Sequence, residues 1–143
     1  MILNDKGIPI FHYSIDISPI DKYNYQLIAS YFDQICRFTK YGFKESLNSL
    51  KMDKSVFYFY THTPSNLHLI LKCDGETDEN RSKKTATDNC ASSILEKFVA
   101  RYNIELKTFK GNITPFKSFS EELDSLINSK GDIKPSLSNP EAF

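Results

Sequence analysis

The sequence predicts one α/β (α+β) domain, a five-stranded antiparallel sheet in the chain order β-β-α-β-β-β-α-α with helices on both faces. Three observations predict it. The apolar residues of the first fifteen positions and of 47–73 follow the two-residue rhythm of strands. Those of 20–41, 85–102 and 118–130 recur at helical spacing. Between them, Val56-Phe57-Tyr58-Phe59-Tyr60 is apolar at every position, as in a strand covered on both sides. A length of 143 residues favours a single domain and lets it bury its core without disulfide or metal.

Taken in order, Met1 to Asn4 and Ile8 to Ile15 flank Asp5-Lys6-Gly7, a strand–turn–strand pattern whose second strand stops near Ser18-Pro19. Leu27, Ile28, Tyr31, Phe32, Ile35, Phe38 and Thr39 form a wide apolar face on a helix that ends at Gly42. Leu47–Met52 is a weak alternating strand. The run at 56–60 follows, then the turn Thr63–Asn66. Leu67–Cys73 alternates through Leu67, Leu69, Leu71 and Cys73, with Ile70 on the other face. Asp74–Lys84 reads as a polar loop. Ala86, Cys90, Ile94, Leu95, Phe98 and Tyr102 mark a second helix, and Asn103–Phe116 is irregular. Ser118 and Glu121 have capping-box spacing at the head of a third helix that carries Phe119, Leu123, Leu126 and Ile127 and ends at Gly131. Residues 1–130 thus make the domain and 131–143 a polar tail. Short connections make sequential strands antiparallel neighbours, with the long helix on one face and the helix pair on the other.

Charge excludes two classes of partner. Lys+Arg and Asp+Glu both number 18 and no basic run reaches five residues, so neither a nucleic-acid footprint nor direct membrane insertion is indicated. No apolar run approaches the roughly 20 residues of a membrane helix, and the N-terminus lacks the basic-then-apolar pattern of a secretory signal. Cys36, Cys73 and Cys90 are scattered and form no CxxC pair, which suits buried thiols in a reducing, cytoplasmic setting.

No catalytic, cofactor or metal site emerges, and a non-enzymatic role is expected. His62 and His68 flank a hairpin turn without a third ligand nearby, and they read as solvated hairpin residues. Asp74, Glu76, Asp78 and Asn80 alternate as calcium ligands do, yet Glu79 and Thr85 stand where that motif needs Gly and Glu. GxSxG, GxGxxG and GxxxxGK[ST] are all missing from a chain with five glycines. The aromatics are the unusual feature: eight Tyr, eleven Phe and no Trp. Tyr offers apolar area with a polar tip, the profile of interface residues. Tyr23, Tyr25 and Tyr41 on the first helix, with Leu47, Ser49 and Lys51 on an edge strand, are the candidate protein-interaction surface.

The element order also carries a resemblance. The hairpin Ile2-Leu3-Asn4-Asp5-Lys6-Gly7-Ile8-Pro9-Ile10-Phe11, the helix Leu27-Ile28-Ala29-Ser30-Tyr31-Phe32, Leu50-Lys51-Met52, the strands at 56–60 and 67–74, Phe98-Val99-Ala100-Arg101-Tyr102 and Phe109-Lys110-Gly111-Asn112 together resemble the longin-like family, within the roadblock/longin (profilin-like) fold, and most of all stand-alone archaeal longin-domain proteins. The resemblance implies a non-catalytic platform that forms homo- or heterodimers. Its implied partners are small Ras-like GTPases, another longin or roadblock subunit, or a membrane-traffic-like complex. The chain departs from the longin SNAREs in ending on a short polar tail, without a heptad helix or anchor. The competing expectation is a PAS-like small-molecule sensor, which requires an internal apolar pocket of a few hundred Å³.

Overall fold

The structure is a computed structural model that describes residues 1–13 and 22–129. The expected end of the second strand near Ser18-Pro19, the helix stop at Gly131 and the polar tail lie outside the described residues. The strands are β1 (Ile2–Leu3), β2 (Pro9–Phe11), β3 (Ser49–Lys51), β4 (Ser55–His62) and β5 (Leu67–Asp74). They form one antiparallel sheet in the order β2-β1-β5-β4-β3, so the N-terminal hairpin is joined to the later strands by pairing of β1 with β5. The helices are α1 (Lys22–Gly42), α2 (Arg81–Arg101), α3 (Asn103–Lys107) and α4 (Phe119–Ser129). The α+β architecture is therefore the one the residue patterns predict.

Buried clusters form on both faces of the sheet by alternation along its strands. Ile2, Leu67 and Leu69 turn toward α2 and α4, where they meet Cys90, Ile94, Phe98, Phe119 and Leu123. Met1, Leu3, Phe57 and Ile70 turn the other way, against Tyr25, Ala29 and Phe32 of α1. Phe98 is the hub of the first cluster. Its ring lies 5.9 Å from Phe11, 4.9 Å from Tyr102, 5.5 Å from Phe116 and 5.0 Å from Phe119.

Three expectations need correction. α2 begins at Arg81, inside the segment expected to be a loop, because the Asn80 side chain accepts from the Lys83 N–H at 3.1 Å and caps the helix. The rest of that segment is a 3₁₀ turn at Gly75–Asp78 whose Thr77 is fully buried. The stretch 103–116 is not wholly irregular, since it holds α3 and the start of a 3₁₀ turn at Thr114–Ser118. The Ser118 hydroxyl is engaged with the Tyr102 hydroxyl at 2.8 Å, Arg101 at 3.2 Å and the Pro115 carbonyl at 3.4 Å rather than in a capping box.

The β1–β2 turn explains how the hairpin docks on α1. The Asn4 side chain accepts from the N–H groups of Lys6 and Ile8 at 3.0 and 2.9 Å, and Gly7 adopts φ +78°. A Cβ at Gly7 would run into the Asp33 carboxylate, which is itself held by Arg37 at 2.9 Å. Gly7→Ala thus meets both backbone strain and a close neighbour, and should lower the unfolding free energy by more than about 1 kcal/mol in urea titrations.

The Met1 amino group is buried and donates to the Ile70 carbonyl at 3.1 Å, and desolvation pushes its pKa down to about 5. Between pH 8 and 5 the unfolded chain therefore binds a proton there that the folded chain refuses. The group's contribution is present above pH 8 and is lost as the pH falls through 5. Urea midpoints should accordingly decrease from pH 8 to pH 5.

Candidate functional site

α1 is apolar on more than the face it buries. Tyr25, Ala29 and Phe32 enter the core, with Ile28 and Ile35 half-buried beside them. Leu27, Tyr31, Phe38 and Tyr41 face outward, each between 50% and 64% exposed. With exposed Gln34 they occupy positions 27, 31, 34, 38 and 41, alternating steps of four and three that draw one straight seam along a helix. The wide apolar face read from the sequence is thus two faces, of which the sheet covers one.

The seam extends past the helix end. The N–H groups of Phe43 and Glu45 both donate to the Thr39 carbonyl, at 3.1 and 3.4 Å, and Lys44 takes φ +60°. This fold-back sets the exposed Phe43 ring edge-on against Phe38 at 5.5 Å. Basic groups border this end: Lys40 stands 5.8 Å over the Tyr41 ring, and Arg37 donates to the Asp5 carbonyl at 3.1 Å. From Gln34 to Lys44 the sequence contains no acidic residue.

Among the described residues β3 is the last strand of the sheet and pairs with β4 alone, through Ser49↔Tyr58, Leu50↔Phe57 and Lys51↔Val56. Its three residues leave a short unpaired edge beside the seam. Leu50 packs with the α1 cluster, whereas Ser49 and Lys51 project to the opposite face, where Lys51 approaches Glu79 at 4.0 Å.

The expected interface residues are therefore only partly brought together. Tyr41 lies in the exposed seam. Leu47 is half-buried just before the edge strand, and Ser49 and Lys51 are exposed on it but face away from α1. Tyr25 is a correction: it is 5% exposed and stacks on His12 at 3.6 Å, because its helical phase matches Ala29 and Phe32 rather than Tyr41. The side chain of Tyr23 lies outside the described residues. Leu27, Tyr31, Phe38, Phe43 and Met52 belong to the surface and were not singled out for it. The steps of four and three from 27 to 41 were the available signal.

Between the N-terminal half of α1, Met52 just after β3, and strands β4 and β5 lies an open groove of about 570 Å³, lined by residues that include Leu27, Tyr31, Phe32, Met52, Phe57 and Lys72. It opens to solvent, unlike the internal pocket that a PAS-like sensor requires. A second recess of about 460 Å³, with a more polar lining, sits between the hairpin turns and the Phe109–Gly111 loop.

Titratable groups gather on the other face, where they act as clamps. The hydroxyls of Tyr58 and Tyr60 donate to Asp78 at 3.1 Å and Asp88 at 2.7 Å, and Lys84 pairs with Asp88 while lying 4.4 Å over the Tyr58 ring. Burial, and then these carboxylates, raise both phenol pKa values, which keeps them as donors. Burial likewise pushes the Cys73 thiol up to about 12, which leaves little thiolate at neutral pH. Cys36, expected to be a core thiol, is only partly buried. His62 bonds Ser65 at 2.7 Å and His68 bonds Thr61 at 3.0 Å across the hairpin. Among the described residues no group of three His, Cys, Asp or Glu side chains could hold a metal ion, and no helix is long and apolar enough to cross a membrane.

No protein-family model, no curated protein and no solved structure matches the chain.

The two faces of α1 should separate in mutational data. Phe32→Ala, within the core, should cost about 3–5 kcal/mol of stability. Phe38→Ala and Tyr41→Ala, on the seam, should each stay within roughly 0.5 kcal/mol of the parent. Urea denaturation of the three variants checks the contrast.

Proposed function

We propose that this chain is a non-catalytic protein-interaction module of longin type, a dimerising platform that docks a small Ras-like GTPase or a membrane-traffic-like subunit through α1 and the neighbouring edge of β3. The observation that carries the reading is the exposed seam Leu27–Tyr31–Phe38–Tyr41, with Phe43 beside it. Scattered surface apolars are ordinary, but an aligned row of large ones marks an interaction surface. Aromatic side chains on a rigid helix are also the residue types that concentrate binding energy.

Further support comes from the surroundings of the seam. A terminal strand offers unpaired N–H and C=O groups for strand addition, and β3 is that strand here. The likeness to longin-like proteins rests on the order of strands and helices read from the sequence. Three free cysteines, two of them buried, suit a reducing compartment, and we place the module in the cytoplasm on that ground.

Size-exclusion chromatography with light scattering, together with a pull-down from native lysate read for GTPases and longin or roadblock subunits, tests this reading. Self-association or capture of such a partner is expected. Tyr31→Asp combined with Phe38→Asp should weaken it at least about 30-fold, the loss of roughly 2 kcal/mol typical of an anchoring residue. A strict monomer at high concentration that captures none of these partners would overturn the proposal.

A further inference from the structure

The seam on α1 has nearly the same spacing read in either direction. Positions 27, 31, 34, 38 and 41 advance by alternating steps of four and three, and so do the same positions taken in reverse. Two such rows can therefore lie antiparallel about a two-fold axis set between positions 31 and 34, near the middle of α1. Leu27 then comes level with Phe38 of the second copy, Tyr31 with Gln34 and Tyr41 with Asn24, each pair occurring twice. Asn24 and Gln34 are both exposed, as the four larger side chains are. A two-fold contact requires a surface that matches itself in this way. The Gln34 amide carries both donors and an acceptor for the Tyr31 phenol, and one polar position within an apolar row fixes the register. At 3.6 residues per turn the seam lies roughly opposite Tyr25, Ala29 and Phe32, so a second helix can approach it without displacing the sheet.

Charge selects the direction of pairing. The charged residues between 34 and 44 are Arg37, Lys40 and Lys44, all basic. Parallel pairing would lay these two basic segments side by side. Antiparallel pairing sets each of them along residues 24–30 of the other copy, which carry no charge. It also holds Lys40 roughly 20 Å from its counterpart along the helix axes, at 1.5 Å per residue, well beyond one Debye length. Area sets the strength. Leu27, Tyr31, Phe38, Tyr41 and Phe43 are each between 50% and 64% exposed. Side chains of this size then offer roughly 600 Å² per copy, so a pair can bury about 1,200 Å², the lower bound for specific interfaces. That area suits a reversible dimer rather than an obligate one. We infer that the seam is covered by α1 of a second copy of this chain, antiparallel and in this register. The inference rests on the reading of the seam as an interaction surface and gives it the self-association part of the proposed role.

The test uses the full chain. Light scattering across a dilution series should show a monomer–dimer equilibrium. In the proposed register Ser30 of one copy lies beside Arg37 of the other, twice per dimer. Ser30→Glu should therefore tighten self-association and Ser30→Lys weaken it, each at least about threefold, as expected of two exposed charge pairs. Leu27→Cys and Phe38→Cys, each made with Cys36→Ser, give an independent readout. An oxidised mixture of the two should form cross-linked dimers, whereas either alone should not, because like positions stand roughly 16 Å apart along the axes. Three results would overturn the inference but leave the seam as a docking surface: cross-linking of either cysteine variant to itself, a dimer shifted in the same direction by both Ser30 variants, or a monomer that captures a GTPase or a longin or roadblock subunit through the seam. A monomer at every concentration that captures none of these would overturn both.

Discussion

The constraint on which the rest of the structure depends is that the sheet is apolar on both faces. Phe57 and Ile70 point one way, and Val56, Leu67 and Leu69 the other, each nearly or fully buried. Neither face can be left to water, so helices must cover both. The two covers are unequal. Five strands at about 4.8 Å spacing span roughly 19 Å between their axes, while one helix with its side chains is about 10–12 Å across. On one face α2 and α4 lie side by side, and the 3₁₀ turn carrying Phe116 fills in beside them. On the other, α1 is the one helix among the described residues. A single helix is narrower than that width, and among the described residues an open groove lies next to α1.

The better-covered face is also the one that is locked. Phe98 gathers Phe11, Tyr102, Phe116 and Phe119 into one aromatic cluster, in tilted, edge-on and stacked arrangements. At its border the phenols of Tyr58 and Tyr60 reach Asp78 and Asp88, fastening the 3₁₀ turn and the start of α2 to the inner strand β4. Arg101 and Tyr102 meet Ser118, and Arg101 pairs with Glu122 at 2.9 Å, tying the end of α2 to α4. The titratable groups of this face are thus used in holding elements together. On the α1 face the Arg37–Asp33 pair and the contact of Arg37 with the β1–β2 turn are ties of the same kind, while large apolar groups of α1 stay partly in water. The apolar area left exposed on α1 is what the proposed recognition role rests on.

Much of the fold was legible because burial leaves a period. The strands at 55–62 and 67–74 and the three long helices announce themselves in the spacing of Phe, Leu and Ile. The parts that were not legible are those whose structure owes little to burial. α3 has five residues and exposes Ile104, so it shows no apolar stripe. The first turn of α2 is polar and rests on the Asn80 cap. The candidate surface was half legible. Its location on α1 and β3 followed from tyrosine content and edge position, but tyrosine identity cannot assign phase. Tyr25 and Tyr41 are sixteen residues apart, about 160° around a helix of 100° per residue, so one is core and the other surface. The groove was invisible in the sequence, because Lys72 looks like any strand lysine until its pairing with Phe57 places it under α1.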